Sequence, residues 1–512
     1  MAEIKRKEIN EKILFLENKE MEIEKTLEDI ESNKQQIEKL RKQLDEEIKN
    51  NNNNKNQNQL NKFNNNNFNN FNANNNINNN NIFPNPINNM NFNNFNQKMG
   101  FNNFPFLFFP LMNNNNMFSN NFNYNNNTND TIITPKSDKK SILPYTKPTL
   151  IGLNNIGATC YLNATLQCLS QTEALTDYFL KEKNKDKIIN NNIAKKNKKD
   201  LQLCPAYLDL IQNLWDKNKV NTSFSPNQFM KTIEEMNPLF KKGQAGDSKD
   251  FIIFILEQMH KELKKPIENN IQPKDPLNQY DKNNAFNHFF YEFQKDVSII
   301  SDIFFGFNET INVCLNCKKN YNSKNMLNPI CYNYCIFNVI IFPLEEVRKM
   351  KNEMLQKNNF YNNNNIVSLY DCFYYNQKTD LFTGENKNFC NICKLLCDSE
   401  YTSTIFSSPN ILVLILNRGK NNIYKVNLDL QEYIDIRNYV LTSNNKPLIY
   451  NLYAVITHLG ESGPNAHFVA TCKSPIDNIW YRYNDAMVNP INNFVKDVVN
   501  FGTPYILFYQ KM

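Results

Sequence analysis

The hydrophobic rhythm of the chain changes twice, and each change marks a boundary. Between Ile9 and Ile48 apolar residues return every seventh position, at Ile9, Leu16, Ile23, Ile30, Ile37 and Leu44. The companion series Ile13, Glu20, Leu27, Lys34, Arg41 and Ile48 is only half apolar. One good seam of this kind predicts a coiled-coil helix over residues 1–49 that self-associates or docks a partner helix. A single charged, solvated helix is the other reading, because Lys34 and Arg41 interrupt the second seam. Over residues 50–144 Asn dominates, interspersed with Phe, Met and Pro, and neither a helical nor an alternating period survives. Asn competes for its own backbone, and too little apolar surface is available to offset ordering, so a disordered linker is expected.

From residue 145 to 512 helical and strand periods recur. Leu162, Leu166 and Leu169 carry a helical spacing; Ala206–Trp215 and Pro226–Met236 read as helices, and Gly246–His260 as an amphipathic one. Ile411–Leu416, Leu452–Gly460, His467–Thr471, Ile479–Asp485 and Pro504–Tyr509 read as strands. Three polar stretches, 181–200, 266–284 and 362–365, read as surface loops. The expected class is α+β.

Composition narrows the function. Hydrophobic residues make up 41% of 512, so only part of the chain can build a core, and the periodic C-terminal part is where it fits. The 57 basic and 51 acidic side chains nearly balance, which gives no case for a nucleic-acid partner. The longest apolar runs are strand-length, so no membrane span is expected. The first residues lack a secretory h-region, and twelve Cys in this length is not disulfide density. A reducing compartment, cytoplasmic or nuclear, is expected.

Against that background one thiol stands out. In Gly152-Leu-Asn-Asn-Ile-Gly-Ala-Thr-Cys160-Tyr-Leu-Asn-Ala-Thr-Leu-Gln-Cys-Leu169, a glycine-containing loop runs into a helix. Thr159 is placed to cap that helix, and Cys160 falls in the first turn, where unpaired N–H groups and the dipole favour a thiolate. A base would have to be histidine, of which there are four. His260 lies on an apolar-patterned helix and His288 precedes Phe-Phe, leaving His458 and His467 on two strands joined by a turn. Two C-x-x-C pairs, Cys314/Cys317 and Cys390/Cys393, suit tetrahedral Zn²⁺, although they lie further apart than the usual ribbon spacing of about 15 to 20 residues. Cys331, Cys335 and Cys397 read as core or surface thiols.

The run around Cys160 resembles the cysteine box of the ubiquitin-specific proteases, Gly-Leu-x-Asn-x-Gly-Asn/Ala-Thr-Cys-Tyr-Met/Leu-Asn-x-x-Leu-Gln. The resemblance implies Cys160 as nucleophile and Asn155 as oxyanion donor. His458-Leu-Gly460 followed by Ala466-His467-Phe-Val-Ala is similar to the family's histidine box, which makes His467 the base, with Ala466 in place of a Gly. That exchange requires a negative φ at Ala466. Asn484, 17 residues after His467, matches the residue that orients the base, and Asp485 follows it. Gly246-Asp247-Ser-Lys-Asp250-Phe resembles the segment lining the channel for ubiquitin's arginine-bearing tail, implying Asp247 and Asp250 as its partners. In this family paired C-x-x-C motifs far apart carry a structural zinc.

The resemblance therefore implies a papain-like α+β catalytic domain over 145–512, with a helical thumb, a β-rich palm and zinc-carrying fingers. Its implied reaction is hydrolysis of the (iso)peptide bond at ubiquitin's C-terminal glycine, with ubiquitin and ubiquitinated proteins as partners. The alternatives are a non-catalytic ubiquitin-binding scaffold and a protease for another ubiquitin-like modifier.

Overall fold

A computed structural model describes residues 141–189, 203–216, 222–266, 272–320, 329–357, 366–419, 423–460 and 466–512. The heptad helix and nearly all of the Asn-rich linker lie outside the described residues.

The first half is helical: α1 (Cys160–Ser170), α2 (Glu173–Leu180), α3 (Leu203–Leu214), α4 (Asn227–Met236), α5 (Ser248–Glu262) and α6 (Lys282–Phe293). Two stretches expected to be loops contribute helix. Glu182–Ile189 is helical, with Asn184 and Ile188 buried, and α6 starts at Lys282, where the Asp281 side chain accepts from the Asn283 and Asn284 N–H groups. Period reading missed the first because its few apolar residues are outnumbered by Lys and Asn.

The second half is largely strand: β1 (Gly306–Cys314), β2 (Ile330–Phe337), β3 (Ile340–Pro343), β4 (Asp380–Phe382), β5 (Asn388–Cys390), β6 (Leu395–Cys397), β7 (Ser399–Ser407), β8 (Ile411–Asn417), β9 (Tyr433–Asp435), β10 (Ile449–Leu459), β11 (His467–Lys473), β12 (Trp480–Asn484), β13 (Met487–Pro490) and β14 (Thr503–Lys511). The central sheet runs β13-β12-β11-β10-β14-β8-β3, with β9 added to β10. Only β8 and β3 pair in parallel within it. A separate sheet, β2-β1-β7-β4, and the β5–β6 hairpin form the fingers.

The unbroken apolar run of β8 follows from a sheet covered on both faces. Successive side chains alternate between faces, and each face has its own core. Ile411, Val413 and Ile415 join the core shared with α1 to α5, whereas Leu412, Leu414 and Leu416 join the opposite one with Phe342, Phe373 and Tyr450. Ile506 and Phe508 of β14 repeat the alternation against Leu507 and Tyr509. Burying one such side chain stabilises by roughly 1.5–3 kcal/mol. The sheet is thereby a rigid platform for whatever projects from the ends of β10, β11 and β12.

All eleven residues of α1 are buried, so its polar side chains need partners inside the protein. Gln167 Nε2 donates to the Ile151 carbonyl at 3.0 Å and Asn163 Nδ2 to that of Leu153 at 3.1 Å, lashing the preceding loop to the helix. Buried polarity thus fixes the loop rather than weakening the helix.

Candidate active site and metal centre

Cys160 is the first residue of α1. Thr159 occupies the N-cap position, but the expected capping bond is absent: its Oγ1 instead accepts from the Ile156 N–H at 3.1 Å, tightening the loop. That loop turns through Gly157, at φ 128°, and Ala158, at φ 52°. The left-handed conformation costs a residue bearing a Cβ roughly 1–2 kcal/mol, a strain held by the surrounding contacts. Gly152 serves a different need, since a Cβ there would lie 2.3 Å from the Ala486 carbonyl oxygen. The loop before the nucleophile is pressed against the turn after β12.

The strand half of the site is built by register. His467 begins β11, and Asn484 ends the neighbouring β12. Asn484 Oδ1 accepts from His467 Nε2 at 2.7 Å, which leaves Nδ1 as the basic nitrogen of the neutral ring. The N–H of Phe468, next to His467, reaches the Cys160 sulfur. Ala466 is absent from the positive-φ residues, so the condition its Cβ imposes is met.

Asp485 is bonded to the loop before the nucleophile and to α1. At φ 48°, its carboxylate accepts from Asn155 Nδ2 at 3.1 Å and from Asn163 Nδ2 at 2.7 Å, and its carbonyl accepts from the Leu153 N–H at 2.9 Å. Asn155 Oδ1 in turn accepts from the N–H groups of Gly157 and Thr159, at 3.2 and 3.1 Å. The amide of Asn155 is therefore held at both ends, and its second N–H hydrogen meets no partner among the described residues. Sequence reading named Asp485 without these partners, and it missed Asn163 altogether. The signal was a lone Asn inside a buried apolar helix, one turn after the thiol.

The electrostatics correct one expectation. Burial pushes the Cys160 thiol above its ordinary value, and the charge of Asp485 adds to this, outweighing the N–H groups of Phe468, Tyr161 and Cys160 itself. The helix start does not deliver a ready thiolate here, and a base has to take the proton.

Beside the site, His458 ends in a T-shaped contact with Phe468, ring centroids 5.1 Å apart, and burial lowers its pKa. Asp247 caps α5, accepting from the Lys249 N–H at 2.8 Å, and also accepts from the Tyr505 hydroxyl at 2.8 and 2.9 Å. The helix-start reading of Asp247 therefore describes its present contacts. The Asp250 side chain is 58% exposed, and among the described residues its ion-pair partner is the Lys249 ammonium at 3.5 Å. The remaining histidines are structural: His260 Nδ1 bonds Ser298 Oγ at 2.7 Å in the interior, and His288 Nε2 donates to the Asp275 carbonyl.

The two C-x-x-C pairs meet at the far end of the fingers. Cys314 closes β1, Cys317 follows one turn later, Cys390 closes β5 and Cys393 lies in the turn to β6. Their four sulfurs all lie within 4.8 Å of one another. Four thiolates about 2.3 Å from a tetrahedral ion would stand about 3.8 Å apart; the Cys314–Cys393 and Cys317–Cys390 separations are 3.8 and 3.7 Å, and Cys317–Cys393 is closer, at 3.1 Å. Hydrogen bonding from Cys317, reinforced by Asn316, lowers the Cys393 thiol to about 7. The donor set fits a closed, four-sulfur metal centre. Cys331 is half-buried and Cys335 exposed, but Cys397, expected to stand apart, is buried against the same cluster.

A family model described as ubiquitin carboxyl-terminal hydrolase matches residues 151–509. Ubiquitin carboxyl-terminal hydrolase 2 of Bos taurus is 27% identical over 373 residues, covering 70% of this chain and 55% of that protein. Ubiquitin carboxyl-terminal hydrolase 21 of Homo sapiens is 28% identical over 388 residues, 71% of this chain and 61% of that protein. The chain thus spans little more than half the length of these curated relatives. Among solved structures, the SAGA DUB module of Ubp8, Sgf11, Sus1 and Sgf73 bound to monoubiquitin superposes with a TM-score of 0.50 at 19% identity, over 72% of this chain and 70% of that one. The same module bound to ubiquitin aldehyde gives 0.50 at 18%, over 72% and 71%. These two likenesses bear on the fold.

Proposed function

Since residues 151–509 match its family model, the chain belongs to the ubiquitin carboxyl-terminal hydrolases of the ubiquitin-specific protease kind, and from that premise we propose that it is a thiol-dependent deubiquitinase. The observation that carries the proposal is the His467–Asn484 bond through Nε2, made on the strand whose Phe468 N–H reaches the Cys160 sulfur. In the proposed cycle His467 Nδ1 takes the Cys160 proton as sulfur attacks the carbonyl carbon of ubiquitin's C-terminal glycine. The carbonyl oxygen gathers negative charge, and the free N–H of Asn155 is the donor for it. Collapse of the intermediate breaks the C–N bond, His467 returns the proton to the departing lysine amine, and a thioester remains. Water, losing a proton to His467, then releases ubiquitin and the thiol.

Two further assignments belong to the same proposal. Asp250, exposed at the start of α5, is the acidic partner for the cationic ubiquitin tail, with Asp247 and Tyr505 already bonded to each other behind it. Cys314, Cys317, Cys390 and Cys393 would hold a structural Zn²⁺, which would cross-link the fingers. Four thiolates leave no open coordination position for chemistry. Cysteine usage that is sparse for the chain's length, with two C-x-x-C pairs suited to metal, fits a reducing compartment, cytoplasm or nucleus.

Ubiquitin bearing a C-terminal propargylamide tests the central claim. Intact-mass analysis is expected to find one covalent adduct, mapped to Cys160. Tight binding without an adduct would leave only a scaffold, and neither would point to a different modifier.

A double-mutant cycle separates the two polar neighbours of the base. Asn155→Ala and Asp485→Ala act along one path, so combining them is expected to slow single-turnover acylation little more than the worse single change. Asn484→Ala acts through His467, and its effect is expected to multiply with that of Asn155→Ala. Asn484→Asp retains an acceptor and is expected to stay within about tenfold of wild type. Full additivity between Asn155 and Asp485 would refute the shared path.

A further inference from the structure

Asn163 lies one helical turn after Cys160 and is 2% exposed. Its Nδ2 is within hydrogen-bond distance of three acceptors: Asp485 Oδ1 at 2.7 Å, the Leu153 carbonyl at 3.1 Å and the Asn154 carbonyl at 3.3 Å. Its own Oδ1 is buried and accepts from nothing among the described residues. This asymmetry is informative, because a buried amide kept merely to fill space would be replaced at lower cost by an apolar side chain of similar size. The donor half is what this position uses.

The acceptors identify what those donors hold. Leu153 and Asn154 directly precede Asn155, and Asp485 Oδ2 accepts from Asn155 Nδ2. Asn163 thus grips both the backbone leading to the oxyanion donor and the carboxylate that anchors that donor's amide. The shortest of its contacts, at 2.7 Å, is the charge-assisted one to Asp485. Because Asn163 and Cys160 share α1, the grip also fixes the distance between the nucleophile and the place where oxyanion charge develops.

We infer that Asn163 is a positioning residue for the hydrolysis, acting through Asp485 to aim the Asn155 amide. This rests on the proposed deubiquitinase reading. Asn163 touches no reacting atom, so its loss should lower kcat while leaving ubiquitin affinity in place. Misplacing a transition-state donor by around an ångström costs up to about a hundredfold in rate, and Asn163→Ala is expected to lower kcat between about tenfold and a hundredfold.

A packing role would also lower activity, and Asn163→Asp distinguishes the two. The side chains are nearly isosteric, but the atom facing Asp485 becomes a carboxyl oxygen. Two carboxyl groups this close share one proton at low pH and repel once both are ionised. The kcat of Asn163→Asp, divided by that of wild type at each pH, is therefore expected to be highest near pH 6. It should fall at least about tenfold by pH 9, as the shared proton is lost. Cys160 on the same helix, whose thiol already feels the charge of Asp485, and His467 on β11 face this pair, so the pH dependence of Cys160 alkylation by iodoacetamide is measured in both proteins and divided out.

The experiment is steady-state hydrolysis of a fluorogenic ubiquitin C-terminal amide by the full chain, wild type, Asn163→Ala and Asn163→Asp, from pH 6 to 9. Ubiquitin affinity and melting temperature are measured on the same samples. A ratio for Asn163→Asp that stays flat with pH overturns the inference, as does an Asn163→Ala variant whose loss lies in affinity with kcat unchanged. Wild-type protein that turns over nothing removes the deubiquitinase reading itself, a result distinct from either of these.

Discussion

Replacing Cys160 by alanine is expected to abolish hydrolysis of a ubiquitin C-terminal amide while ubiquitin still binds. Removing a nucleophile that acts as a unit with its base lowers kcat by up to about 10⁶-fold, because base and oxyanion donor have nothing to activate. The fold should hardly notice. Cys160 is 9% exposed at the first position of a helix whose next residues are fully packed, and alanine is the best helix former. The sulfur is one heavy atom, so the stability change should stay within about 1–2 kcal/mol. Cys160→Ser sharpens the test: it restores a donor of similar size, yet a hydroxyl in this buried place beside Asp485 is far harder to deprotonate than a thiol. Titration calorimetry with ubiquitin and a turnover assay on the same preparation check both halves. Turnover by Cys160→Ala near the wild-type rate would transfer the chemistry to another residue.

The metal centre supports the second large prediction. The purified chain is expected to carry one zinc, and Cys314→Ser or Cys393→Ser to lose it together with the folded fingers. Binding energy at such sites is folding energy, with apparent values of about 10–16 kcal/mol in zinc-finger peptides. At the hairpin end of the fingers the described residues offer little to replace it: β5 and β6 are three residues each, and Leu395 and Leu396 are largely exposed. A hairpin that short has no core of its own. Elemental analysis, with melting curves before and after chelation, provides the measurement. Soluble, active protein free of zinc would dismiss the assignment.

Much of this was legible in the chain because its signals were redundant. The run Ile411–Leu416 has the length and apolar continuity of a strand, and two C-x-x-C pairs converging needed no helix or strand boundary to be right. The histidines sorted themselves by neighbourhood. What escaped was set by tertiary contact. Thr159 has the composition of a cap, yet Ile156 claims its hydroxyl. Cys160 has the position of a helix-start thiolate, but burial and Asp485 reverse the shift, and neither is visible locally. Adjacent residues at a strand end project to different sides, which pointed Asp485 to the oxyanion side or the loop, but the left-handed backbone that turns its carboxylate toward Asn155 and Asn163 leaves no mark in the residue order. Asp247 had two roles open to it, and the hydroxyl of Tyr505, 258 positions away, occupies its carboxylate.

The clasp between Asn155 and Asp485 joins residues 330 positions apart, and this sets a clock on the protein's birth. At about 5–20 residues per second of synthesis, the thiol helix leaves the ribosome roughly 15–65 s before the turn that anchors its loop. For most of that interval α1 lacks the imidazole, because His467 follows Cys160 by 307 positions (467 − 160). The proposed site is therefore completed late, when β11, β12 and the turn after them close the sheet over the helix.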